Sequence, residues 1–114
     1  MSVPKAKAFA EEFKKKFGKN PEPFSAQAYD ATGILIKAIE KAAEGGKTPT
    51  REAVAAAVRT VKWDGVTGVI EFDGKGDPKT ALYFVLQVAS DDPAKWGENK
   101  EVKRLSIAAP GPKA

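Results

Sequence analysis

Apolar residues recur every three to four positions through the first half of the chain. In the second half they alternate or run unbroken, so the pattern predicts helices first and strands after. Phe9, Phe13 and Phe17 stand four apart with Ala6 and Ala10 beside them and lysines opposite, the stripe of an amphipathic helix over residues 4–17. Ser2 or Val3 suits its cap, Pro4 its first turn, and Gly18 the left-handed residue that ends it. Two prolines stiffen the connection Lys19–Pro23. A second helix is predicted over residues 24–44, with Ala28, Ala31, Leu35, Ala38, Ile39 and Ala42 as its stripe and Gly45-Gly46 as its stop. Gly33 inside that helix costs roughly 1 kcal/mol relative to alanine, so close packing against another backbone, or a bend, is expected there. Thr48 as cap and Pro49 in the first turn announce a third helix over residues 49–61, burying Val54, Val58 and Val61.

Beyond Lys62 the period shortens. Residues 66–72 alternate as a strand does, Asp73-Gly74-Lys75-Gly76-Asp77 supplies a turn, and residues 80–89 are apolar on both faces. An unbroken apolar run suits a strand covered on each side. A polar loop from Ser90 to Asn99, carrying Trp96, leads to a last strand over residues 101–107. The fold class is α/β: three helices followed by two or three strands, forming a single partial domain over residues 1–114. The strands can make only a small hairpin-like sheet, while the helical stripes call for a larger one. Self-association is expected to complete the fold.

Composition narrows the function. A chain of 114 residues, 42% hydrophobic and 30% charged, falls in the soluble globular class and holds one domain at most. The net charge of +4 raises the question of nucleic acid, but the lysines are spread along helix faces. The tight run Lys14-Lys15-Lys16 follows Glu11 and Glu12 at the spacing of i,i+4 pairs, which reads as a solvated face and not a nucleic-acid site. Cysteine and histidine are absent, which removes disulfides, thiolate nucleophiles, Cys/His zinc sites and imidazole bases. Asp30, Asp64 and Glu71 form no recognisable acid–base pair, and Asp73 with Asp77 lacks the alternating oxygen ligands of a calcium loop. No catalytic residue, metal site or cofactor is expected, and the chain reads as a non-enzyme. The stretch MSVPKAKAFAEEF contains neither the apolar core nor the cleavage site of a signal peptide.

The residues with most to offer a ligand stand together. Phe24 follows Pro21 and Pro23 at the start of the second helix, from where its ring can project toward a cleft or fold back on Ala28 or Tyr29 as a hydrophobic staple. Ser25, Gln27 and Tyr29 lie beside it, at a helix N-terminus whose amides suit a carboxylate. Ser25 can equally be a cap and Tyr29 a half-buried packing residue.

Two stretches, PFSAQAYDATGILIKAIEKA and TREAVAAAVRTVKWDGVTGVIEFDGKGDPKTALYFVLQV, resemble the closing part of branched-chain amino-acid binding proteins of bacterial ABC transporters. The resemblance to this type I periplasmic binding family runs from about Pro4 to Leu105. It implies the C-terminal part of a two-lobed receptor that closes on an amino acid and presents it to an ABC permease. The parent would work in the periplasm or outside the cell. It also implies that the aromatic at the position of Phe24 lines the pocket for the ligand's side chain. Earlier parts of such a chain hold most of the ligand's charged groups, so this stretch alone should bind poorly. The phrase GVTGVIEFDGKGD resembles the segment near the family's last hinge, where glycines would let the backbone bend. The other reading is a stand-alone or engineered interaction and oligomerisation module.

Overall fold

A computed structural model describes residues 4–111, apart from the side chain of Trp96, so the suggested caps Ser2 and Val3 lie outside the described residues. The elements run α1 (Pro4–Phe17), α2 (Ser25–Ala42), α3 (Arg51–Val58), β1 (Trp63–Asp64), β2 (Val69–Ile70), β3 (Thr80–Gln87) and β4 (Lys100–Ala108). Two short 3-10 turns, Glu44–Gly46 and Pro93–Glu98, interrupt them. The chain divides into two compact units, one ending at Lys79 and the other beginning at Thr80.

In the first unit, aromatic contacts join α1 to α2. The rings of Phe9 and Phe13 are 5.9 Å apart, those of Phe13 and Phe17 4.6 Å, and Phe9 reaches Tyr29 on α2 at 5.3 Å. Such tilted pairs contribute about 0.5–1.5 kcal/mol each beyond the area they bury. Lys5 adds an ion pair to Asp64 at 2.6 Å. The buried apolar residues are Ala6, Ala26, Ile34, Ala38 and Ala57, a small core made mostly of methyl groups. Among the described residues one charged side chain lies with them, Asp30.

Helix α2 has the expected period but a different phase. Its covered stripe is Ala26, Asp30, Ile34 and Ala38, whereas Leu35 and Ile39 from the expected stripe are about half exposed, at 50% and 46%. The helix is apolar on two sides, and the larger side chains occupy the open one. That side faces an open groove of about 460 Å³ lined by Leu35, Ile39, Pro49, Val54 and Val58. The helix ends at Ala42, two residues short of expectation, as the chain tightens into the 3-10 turn and Gly45 takes a left-handed φ of 73°. Helix α3 also starts later than expected. Thr50, not Thr48, is its cap, because the Thr50 hydroxyl accepts from the Ala53 amide at 3.2 Å. Past Val58 the backbone winds into tighter i→i+3 bonds, with the Thr60 and Val61 amides donating to Ala57 and Val58.

The stretch expected as a strand over residues 66–72 is strand only at Val69–Ile70, and its start forms a clasp. Strand β1 pairs antiparallel with β2 (Trp63 opposite Ile70, Asp64 opposite Val69) around the tight turn Gly65-Val66-Thr67-Gly68. Val66 and Thr67 pair with no strand because their amides donate to the Asp30 carboxylate. A side chain has taken the bonds that a neighbouring strand would have made. The Asp73 turn forms as predicted: its carboxylate accepts from the amides of Lys75, Gly76 and Asp77 at 2.9, 3.0 and 3.0 Å.

The second unit is the antiparallel hairpin of β3 and β4, in register from Thr80 opposite Ala108 to Gln87 opposite Lys100, with a bulge after Val85. Every residue of β3 is exposed, so a sequence apolar on both faces here has neither face covered. Across the strands the Arg104 guanidinium lies 5.2 Å from the Phe84 ring centre, and within β4 it bonds Glu101 at 3.1 Å.

Candidate functional site

The four candidate ligand residues lie within the first turns of α2. Pro21 and Pro23 lead into Phe24, which takes a left-handed conformation, φ 67°, and caps the helix without any side-chain hydrogen bond. An aromatic side chain in that region carries backbone strain on the order of 1–3 kcal/mol. Its carbonyl accepts the first helical bond, from Ala28 at 2.9 Å. The residue is 77% exposed, so the staple against Ala28 or Tyr29 does not form. Ser25 is the first helical residue and half-buried, one place too late to be the cap. Gln27 is exposed. Tyr29 has its ring against Phe9 and is otherwise open. Helical spacing puts Phe24 with Gln27 on one side and Ser25 with Tyr29 on another, so the four share a helix end but not a single face.

One turn further along lies a residue that sequence reasoning passed over. Asp30 is fully buried and accepts four hydrogen bonds: Oδ1 from the Trp63 indole at 3.0 Å and the Val66 amide at 2.9 Å, and Oδ2 from the Thr67 amide at 2.9 Å and hydroxyl at 2.6 Å. Burial pushes its pKa upward. The bonds from the Thr67 hydroxyl, the Trp63 indole and the two amides outweigh that push and hold the carboxyl below its ordinary value. Two glycines make room. A Cβ on Gly65 would collide with the carboxylate, and one on Gly33 with the Trp63 indole. The expected close packing at Gly33 is therefore against a side chain and not a backbone. A signal was available in the sequence: an aspartate on the i, i+4 line Ala26, Asp30, Ile34, Ala38 needs buried donors.

A second cluster is electrostatic and exposed. Glu71 receives Lys62 at 2.8 Å and Lys79 at 3.0 Å, and the Lys62 ammonium beside it holds its carboxyl below the usual range. Arg59 donates to the Gly74 carbonyl at 3.3 Å. Among the described residues, no group of three or more acidic, histidine or cysteine side chains is placed to hold a metal ion, and no helix is long and apolar enough to cross a membrane.

Helices clasped to a short antiparallel connection and followed by a hairpin make up part of a solute-binding fold. The profile of the periplasmic binding protein family matches residues 1–93, and the chain belongs to that family. It is 37% identical over 91 residues to the leucine-, isoleucine-, valine-, threonine- and alanine-binding protein of Pseudomonas aeruginosa, spanning 77% of this chain and 22% of that protein. Among solved structures it is similar to the leucine-binding protein LivK of Thermotoga maritima, with a TM-score of 0.67, 32% identity and coverage of 91% of this chain and 27% of that one. An ABC transporter substrate-binding protein from Desulfitobacterium hafniense matches at a TM-score of 0.53 and 32% identity, over 68% and 22% of the two chains. The chain thus spans about a quarter of the length of the relatives it matches. Membership sets it among binding proteins, not enzymes.

Proposed function

We propose that this chain is part of an extracytoplasmic receptor for branched-chain or related amino acids that feeds an ABC transporter. Phe24 supplies an apolar wall for the ligand's side chain, and Ser25, Gln27 and Tyr29 stand at the helix end beside it. The observation that carries the reading is 37% identity to a protein named for binding leucine, isoleucine, valine, threonine and alanine. The exposed, unstapled ring of Phe24 fits it: a strained aromatic left in solvent is more useful facing a ligand than facing water. The partners of the whole receptor are then a small amino acid and a membrane permease. A chimera tests the proposal, with this chain's matched 91 residues replacing their counterparts in the Pseudomonas protein. Titrating leucine, isoleucine and valine into it should give saturable binding, weakened at least about tenfold by Phe24→Ala, the loss expected from one buried anchor. A chimera that folds and takes up none of the three amino acids would refute it.

A second reading is favoured by a separate observation. The open apolar side of α2 and α3, with Leu35, Ile39, Val54 and Val58, and the bare hairpin of the second unit are surfaces that an isolated chain leaves in water. As an independent polypeptide the chain self-associates through them and acts as an oligomerisation module. Sedimentation equilibrium separates this from a monomer.

A further inference from the structure

Asp30 takes no part in the proposed ligand face, yet it is the largest fully buried side chain among the described residues. We propose that Asp30 is a positioning residue: its carboxylate fastens the Trp63–Thr67 connection to α2, so that this connection and the helix bearing Phe24 to Tyr29 form one body. The proposal rests on the receptor reading only in treating that helix end as a ligand face.

Three features carry it. The carboxylate is shared between two pairs of donors, Trp63 and Val66 on one oxygen and the Thr67 amide and hydroxyl on the other. All are neutral and directional, so they fix orientation as well as proximity, which a single ion pair does not. Next, at Val66 and Thr67 the connection has no backbone pairing of its own, its other holds being the Lys5–Asp64 ion pair and the Trp63 ring against Gly33. Its strand pairing amounts to Trp63 with Ile70 and Asp64 with Val69, and neither Val66 nor Thr67 belongs to a ladder. Finally, the surroundings admit this group and little else. Gly65 must lack a Cβ for the carboxylate to fit, and Gly33 must lack one for the indole that donates to it. Gly65 and Gly68 therefore serve a close approach and a tight turn, Gly68 at φ 126°, and the glycines of this stretch are fixed in place instead of forming a free bend.

Asparagine at this position keeps the shape but cannot satisfy both donor pairs, because its NH2 group would face the Thr67 amide, whose neighbouring hydroxyl alone can turn to accept, or on the other side the Trp63 and Val66 N–H groups. The test is amide hydrogen exchange and the Trp63 indole N–H resonance of the 114-residue chain, comparing the native protein with Asp30→Asn and Thr67→Val. In the native protein the Val66 and Thr67 amides should exchange nearly as slowly as that of Ala38 in the core, although they lie outside any strand pair. In Asp30→Asn at least one of them should speed up by about tenfold or more beyond any change at Ala38, the factor for one lost bond to a charged acceptor, and the indole resonance should move. Thr67→Val removes a single donor and should leave Val66 protected, which serves if Asp30→Asn fails to fold. Rapid exchange of Val66 and Thr67 in the native protein, or acceleration that only tracks Ala38, would overturn the proposal. No amino-acid ligand enters the measurement, so it stands or falls separately from the receptor chimera.

Discussion

Asp30 shows how much one side chain can decide. Replacing it with alanine strands four donors and opens a void, so Asp30→Ala should lower unfolding stability by about 3 kcal/mol or more, measured by urea denaturation. The same carboxyl gives acid sensitivity a defined direction. Its folded pKa lies below the ordinary value of 3.8, so the folded state holds this proton less tightly than the unfolded chain does. Its stabilisation is complete above about pH 4 and is lost as the pH falls through the lower folded value. Urea midpoints should therefore drop on acidification below about pH 4. Asp30→Asn should lower the midpoint at pH 7 and flatten part of that drop; Glu71 and Asp73, also depressed, act in the same direction. The glycines divide in the same way. Gly65→Ala and Gly33→Ala meet the carboxylate and the indole and should cost about 1–3 kcal/mol, whereas Gly74→Ala meets nothing and should stay within about 0.5 kcal/mol. At this scale the sequence was partly legible. Phe24 stood out because prolines and a helix start surround it, while Asp30 did not, since its meaning comes from donors 33 to 37 positions away.

Among the elements, α2 shows what periodicity can and cannot determine. Its length and type followed from the repeat of apolar residues. Its phase did not, because alanines, Leu35 and Ile39 populate both sides and only packing selects one. The larger residues were expected inside, yet they line the open groove. Leu35→Glu and Ile39→Glu should consequently change folding stability by less than about 1 kcal/mol while reducing self-association, measured by sedimentation. A destabilisation comparable to a core deletion would mean that this side is covered after all. Of the strand expected over 66–72, Val69–Ile70 pair as β2 and Phe72 bridges to Pro78, while Val66 and Thr67 depart for a reason that strand propensity does not contain: a carboxylate can take the place of a neighbouring strand. The hairpin of β3 and β4 was legible as strands and as a small sheet. A two-stranded sheet with both faces in water is marginal, so its amides should exchange faster than those of Ile34 to Ala38.

At the scale of the whole molecule, its family and its exposed surfaces point the same way. The two stretches that carry the family resemblance contain AQAYDA and GVTG, which are far apart in sequence and are joined through Asp30 to Val66 and Thr67. Residues in the two stretches that looked like separate markers belong to one structural device. The core of this device is small, and substantial apolar surface remains outside it on the helices and on the hairpin. Relatives about four times as long contain a similar stretch within a larger protein. If Phe24 and its neighbours supply one wall of an amino-acid site, the remaining contacts lie outside this chain, and a site deprived of most of its polar contacts loses most of its affinity. Calorimetric titration of leucine, isoleucine and valine into the 114-residue chain measures this directly. No saturable heat is expected up to about millimolar ligand, whereas one-to-one binding with a micromolar Kd would contradict a site completed by other parts of the receptor.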